Sequence, residues 1–316
     1  MSGTKSIISD FPGAERYRLS DIAEVLTPAL LLYPEVVASN IAATLQLLGG
    51  NADRWRAHIK TAKLAYTLQM LLERGVRHFK CATTLELRTA CETGATDVLV
   101  AYPMMGANAR RVRQIAQQFP GVRVSVLAEN QEQLRQWIGT RIGIYLDVNP
   151  GMNRTGIDQA SGPEVVDLIR AIHDSKIEFG GLHYYDGQYG HTDEPERSSA
   201  AHSGYDRLME LIAAIGHAGF RIPELITAGT PTFPSSLSYQ PFRQGDFIHR
   251  VSPGTVAYCD ATSLAQLPPE YGYAPAVLVL TRVVSHPAKR IVTCDAGHKS
   301  VSADAGVPTC VVMGHP

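Results

Sequence analysis

The sequence predicts an α/β protein, a (β/α)8 TIM-type barrel followed by a C-terminal β domain. Three observations carry this. Eight short apolar or β-branched runs alternate with stretches of helical periodicity, the count and order of a barrel of about 250 residues. The glycine-rich G-x-G-x-x-G turn that opens a doubly wound open sheet is missing. After residue 251 the texture changes to β-rich runs separated by turn residues, without helical periodicity between them.

Taken in order, the strand runs are WRAHI (55–59), HFKCA (78–82), DVLVA (97–101), VRVSVL (122–127), IGIYLDV (142–148), IEFGGLHY (177–184), ELITAG (224–229) and FIHRV (247–251). Between them, LAYTLQMLLERG, TLELRTACETG and PEVVDLIRAIHDS space their apolar residues as helices do, and the first two end in glycine, a helix C-terminal signal. GTVAYCD, APAVLVLTRVVSH, KRIVTCDAG and TCVVMG make up the β-rich tail. The expected division is an N-terminal segment, 1–28, pairing with the β domain, a barrel over 29–251, and a C-terminal β domain over 252–316.

Composition narrows the function. With 316 residues, 45% hydrophobic and 19% charged, the chain is globular, and its formal net charge of −1 offers no basic field for nucleic acid or an acidic membrane. A small molecule is the default partner. The opening MSGTKSIISDFPGAERYRLSD lacks the apolar core of a signal peptide, and no run approaches the ~18 apolar residues that span a bilayer. Five scattered cysteines match neither a disulfide framework nor a zinc-ribbon spacing, which points to a reducing cytoplasm.

The barrel places the ends of its strands at one face, where such enzymes hold their active sites. Lys60, in RAHIKTAK, directly follows the first barrel strand. A partly desolvated amine near His58 or Lys63 has a lowered pKa and, when neutral, condenses with an aldehyde. A lone lysine at a turn is ordinarily just solvated, so its company decides. DVNPGMNRTG brings Arg154 to the same rim. ITAGTPTF follows the seventh strand, and its small residues, backbone N–H groups and Thr230 suit phosphate, which barrels often bind after strands seven and eight. VSPGTVAYCD adds the Gly254–Thr255 turn after the eighth strand.

TPALLLYPEVVASNI, RAHIKTAK, KCATTLELRTACETGATDVLVAY, DVNPGMNRTG, GLHYYDG, TAGTPTF and DAGHKSVSADAG together resemble the D-threonine aldolase and D-serine dehydratase group. These are pyridoxal-phosphate enzymes of the alanine-racemase-like fold. The resemblance runs in order from about residue 27 to the C-terminus. It implies that pyridoxal 5'-phosphate is carried as a Schiff base on Lys60, which is also the base at the substrate's Cα, with His58 in the cofactor site. It further implies Arg154 beside the cofactor's phenolic oxygen, Tyr185 near the ring, Thr227 on the pocket floor, and Gly229, Thr230, Gly254 and Thr255 at the phosphate. A homodimer with the site between subunits is implied as well.

The chain departs from this pattern in places. Relatives read Arg-Pro-His before the lysine and a His just after it, where Ala57 and Ala62 stand here. Ser252-Pro253-Gly254 replaces an Arg-Pro-Gly, leaving the partner of the ring nitrogen unassigned. The group's divalent-metal ligands, a His and a Cys or Asp near the C-terminus, are not found before the sequence stops at VVMGHP. The β domain is therefore either cut short or without that metal site, and no metal ligand is assigned.

The expected function is lysis of a small D-amino acid with a β-hydroxyl, D-threonine aldolase-like, giving glycine and an aldehyde. The alternatives are dehydration as in D-serine dehydratase, racemisation, a non-catalytic pyridoxal-phosphate carrier, and a cofactor-free lysine aldolase. His183, Asp186, His191 and Asp193 are too irregularly spaced for a metal site and read as pocket lining or surface loop, with Gln188 and His191 able to touch substrate. His298 and Lys299 read as a β turn, Cys81, Trp55 and Trp137 as packing residues, and 194–197 as a solvated helix start.

Overall fold

The computed structural model describes residues 13–302 and 307–313. In chain order its strands are β1 (Ala29–Leu32), β2 (Arg56–His58), β3 (His78–Cys81), β4 (Asp97–Val100), β5 (Arg123–Ala128), β6 (Gly143–Asn149), β7 (Ile157–Asp158), β8 (Phe179–Tyr184), β9 (Glu224–Thr227), β10 (Ile248–Val251), β11 (Val277–Leu280), β12 (Val283–Ala288) and β13 (Ile291–Cys294). Eight of them, β2-β3-β4-β5-β6-β8-β9-β10, lie side by side and parallel. A parallel bridge between Trp55 and Val251 joins the two ends of this sheet into a barrel. All eight barrel strands coincide with the runs read from the sequence. β7, a two-residue addition to the edge of β6, is too short to leave a pattern.

Helices cover the outside, so strands such as β4 and β8 are buried along their whole length. Their ends are written locally. Thr83 accepts from the Glu86 amide at 3.1 Å while the Glu86 carboxylate accepts from the Ala82 amide at 2.8 Å, fixing the start of the helix Thr84–Thr93. Gly94 ends that helix at φ 100°, a conformation that favours glycine.

Side chains pointing into the barrel form layers. The floor is ionic. Arg56, fully buried, binds Asp97 at 2.9 Å and Glu224 at 2.8 Å, while His78 and Arg123 also reach Asp97 and Arg250 pairs with Glu224. Burial would pull the Arg56 proton off, but Glu224, Tyr145 and Asp97 hold its pKa above the ordinary value. Above the floor, Leu99, Ala101, Leu127, Tyr145 and Ile226 form an apolar layer. Higher still, toward the strand C-termini, the lining turns polar again.

Two compact units result: residues 41–256 form one, and the chain through Asn40 joins Ala257 onward in the other. In the second unit β1 runs antiparallel to β11, and β12 and β13 form a hairpin. Thr27 donates to Asp295 at 2.5 Å, and Arg282 donates to the carbonyls of Ile22, Ala23 and Val25. The β-rich tail read from the sequence needs two corrections. GTVAYCD holds a 3-10 turn at Thr255–Ala257, and the helix Ala261–Gln266 follows it because the Asp260 carboxylate caps the Ser263 amide at 2.8 Å. TCVVMG carries only a single bridge residue, Val312, within its described part, since β propensity without a partner strand makes no ladder. Among the described residues no helix is long and apolar enough to cross a membrane.

Candidate active site

The polar lining at the strand C-termini begins with β2. Its register pairs His58 with Lys80 on β3, and the Lys80 carbonyl accepts from the Ile59 amide at 2.8 Å and lies 3.0 Å from the His58 ring. The chain then turns at the rim, where Lys60 is exposed and its amide donates to His58 Nδ1 at 3.3 Å. Burial, with the charges of Lys80 and Lys60 nearby, drives the His58 pKa well below its ordinary value. The desolvation expected at Lys60 is found instead at Lys80. Burial pushes that ammonium down to about 7, with Arg154 and Arg56 opposing its charge and Asp147 and Asp186 favouring it.

Around Lys80 the strands deliver a connected set. The amine lies 3.3 Å from Nε2 of His183, whose Nδ1 meets the Asp147 carboxylate at 2.7 Å, and Thr155 donates to the same carboxylate at 2.7 Å. Beyond β8, Tyr185 lies under the Arg154 guanidinium, 4.8 Å from ring centroid to carbon, and 5.8 Å from the Lys80 amine. Asp186 is fully buried and accepts from Tyr205 and Thr232, each at 2.6 Å. His191 and Asp193, by contrast, are exposed, so the four acidic and imidazole groups of that stretch do not converge. Among the described residues no group of three or more His, Cys, Asp or Glu side chains could hold a metal.

The last two strands end in a small cup. Thr255 donates its amide to the Thr230 hydroxyl at 3.2 Å, and its own hydroxyl lies 3.4 Å from that of Thr61, next to Lys60. Gly254 is needed here because a Cβ would sit 2.3 Å from the His58 carbonyl oxygen. A Cβ on Gly229 would sit 2.8 Å from the Tyr185 ring. The structure thus gathers Lys60, His58, Arg154, Tyr185, Gly229, Thr230, Gly254 and Thr255 at one end of the barrel. Thr227 has other partners: its hydroxyl meets Ser236 at 2.6 Å and His249 at 2.8 Å, because strand alternation puts Glu224 and Ile226 inward.

Sequence reasoning missed Lys80 and Asp147 and treated His183 as lining. A signal existed. His78 and Lys80 alternate through an otherwise buried parallel strand, and Asp147 interrupts IGIYLDV, where such strands are usually apolar throughout. His298 and Lys299 lie on an exposed turn after β13.

The eight-stranded parallel barrel has known counterparts. The chain belongs to the family described as alanine racemase, N-terminal domain, which matches residues 34–262, and residues 276–316 match a putative serine dehydratase domain. Among its relatives, 3-hydroxy-D-aspartate aldolase of Paracoccus denitrificans (strain Pd 1222) is 24% identical, over 91% of this chain and 76% of the relative. D-threo-3-hydroxyaspartate dehydratase of Delftia sp. (strain HT23) is 23% identical, over 89% of this chain and 73% of the relative. The crystal structure of D-threonine aldolase from Filomicrobium marinum superposes with a TM-score of 0.81 at 25% identity, over 90% of this chain and 77% of that one.

Proposed function

We propose that the protein is a pyridoxal-phosphate-dependent lyase acting on small D-amino acids with a β-hydroxyl, cleaving them as a D-threonine aldolase does to glycine and an aldehyde. The observation that carries this reading is the cup of Thr61, Thr230 and Thr255, with Thr61 directly after Lys60 in the chain. Its three hydroxyls and the Thr255 amide, all within one small turn cluster, fit a phosphate ester whose carbonyl end is tethered at Lys60.

Each residue then has a chemical task. Thr230, Thr255 and Thr61, with the Gly229 and Gly254 main chain, hold the phosphate. Lys60 is the covalent anchor and, once the substrate amine replaces it, a base at Cα. Arg154 supplies a cation for the phenolic oxygen and Tyr185 an aromatic face. When bound, pyridoxal phosphate supplies the electron sink for the pair left at Cα when a bond there breaks. The bond that breaks decides between aldol cleavage and dehydration. The dehydratase among the relatives keeps the second reading open at the same site. The reading includes a homodimer, on the family resemblance, and a cytoplasmic location, on the scattered cysteines.

The test is incubation with D-threonine and D-serine, with and without a chelator, followed by product identification. Glycine plus acetaldehyde is expected, pyruvate plus ammonia would assign the dehydratase, and loss with chelator would reveal a divalent metal. Borohydride reduction and peptide mapping should label Lys60. An unlabelled Lys60 in protein without absorbance near the visible edge would refute the reading.

A further inference from the structure

We propose that a second lysine works in this site: the Lys80 amine takes the proton of the substrate's β-hydroxyl, and the His183–Asp147–Thr155 chain behind it positions that amine. This rests on the aldol-type reading above and adds to it the base that cleavage requires.

Lys80 sits deeper than Lys60. Its register partner is His58, so Lys60 lies two residues farther toward the mouth, about 7 Å along the strand. Only 2% of Lys80 is exposed, and among the described residues no carboxylate lies within ion-pair distance of its amine, an uncommon state for a buried lysine. The amine's hydrogen-bond partner is an imidazole nitrogen instead. Because Asp147 accepts from Nδ1–H of His183, Nε2 carries the lone pair and receives a Lys80 N–H. The rest of the amine faces the Tyr185 ring just beyond the end of β8, 5.8 Å from its centroid.

Every element around the amine contributes charge. β2 brings Arg56 and His58, β6 brings Asp147, the loop after β6 brings Arg154, and β8 and its exit bring His183, Tyr185 and Asp186. Burial and the two arginines favour the neutral amine against the two aspartates, placing its titration at about 7. The other candidate bases have partners. Asp147 is taken by His183 and Thr155 and Asp186 by Tyr205 and Thr232, while the His58 Nδ1 faces the Lys80 carbonyl and burial lowers its pKa so far that the ring is a weak base.

In the step itself, the neutral Lys80 amine accepts the β-hydroxyl proton as that oxygen forms a carbonyl with Cβ. The Cα–Cβ bond breaks and its electron pair goes to Cα. A proton from the Lys60 ammonium then completes glycine there, and Lys80 passes its own proton to water, which returns one to Lys60, as the aldehyde leaves. One proton is taken and one returned.

The experiment compares wild type with Lys80→Gln and Lys80→Arg, the latter keeping the contact with His183 but never neutral near pH 7. Cleavage of D-threonine should fall at least 100-fold in both, the scale of general base catalysis. Exchange of the glycine α-proton in D2O and cofactor absorbance should persist, because neither needs a hydroxyl base. In wild type, kcat should rise with pH through about 7. Asp147→Asn should move that limb to lower pH by removing the charge that favours the Lys80 ammonium. A readout independent of turnover is 15N NMR of lysine-labelled wild type, with Lys80 assigned by its loss in Lys80→Arg: its amine should titrate near neutrality. Retained cleavage in Lys80→Gln, equal loss of cleavage and exchange, or titration in the ordinary lysine range of about 10.4 would overturn this role alone. Wild type that binds no pyridoxal phosphate and cleaves no 3-hydroxy-D-amino acid would overturn the proposed function, and this role with it.

Discussion

Gly254 packs against the carbonyl of His58 so closely that a methyl group on its Cα would stand 2.3 Å from the oxygen. The contact ties the turn after β10 to the strand that leads into Lys60, so one glycine sets how the hydroxyl cup sits against that strand end.

Gly254→Ala should therefore separate these two features. The obstacle is backbone, so the turn itself must shift. A cost of about 1–3 kcal/mol in folding stability is expected, together with weaker cofactor retention. Urea denaturation and pyridoxal-phosphate titration measure the two effects. Unchanged cofactor affinity would show that the cup's position does not matter.

Thr230 and Thr227, three residues apart, should behave differently. Thr230→Val removes a hydroxyl from the cup and should weaken cofactor binding about tenfold, the worth of one hydrogen bond at roughly 1.4 kcal/mol. Thr227→Val breaks the contacts to Ser236 and His249 and should cost about 1 kcal/mol of stability without moving cofactor affinity. The same titration and denaturation series distinguishes them.

The barrel floor should be intolerant of change at Arg56. Arg56→Met leaves Asp97 and Glu224 buried with less compensation, and a loss of about 3–5 kcal/mol is expected from denaturant unfolding. A loss below 1 kcal/mol would mean that Arg123, His78 and Arg250 neutralise the floor without it.

Stability should also depend on His249. Burial, then the charges of Arg54 and Arg243, lowers its pKa to about 3. With the folded value below the unfolded value of about 6.5, the unfolded chain binds the extra proton in between. This contribution is complete above pH 6.5 and is lost as pH falls toward 3. Thermal unfolding across that range should have a shallower acid slope in His249→Gln than in wild type.

Much of the barrel could be read in advance. Parallel strands buried on both faces leave continuous apolar runs, and the helices between them carry their own start and stop residues, as at Thr83, Glu86 and Gly94. The tail misled because β-branched content records a tendency to pair, not the partner. Asp260 capped a helix inside it, and only the β1–β11 ladder reveals where Ala29–Leu32 belongs.

The sequence by itself determined the order of strands and helices, and with it which loops share the barrel's open end. That sufficed to bring Lys60, Arg154, Thr230 and Thr255 to one face, because strand ends are fixed by connectivity. Only the tertiary structure decided which way each side chain turns and how deeply it is buried. It placed Lys80 inside beside His183, turned the Thr227 hydroxyl toward Ser236 and His249, and left Lys60 at the surface. The reason is physical: the charge state of an amine depends on the water and charges around it, and closing the barrel brings those neighbours from strands more than a hundred residues apart.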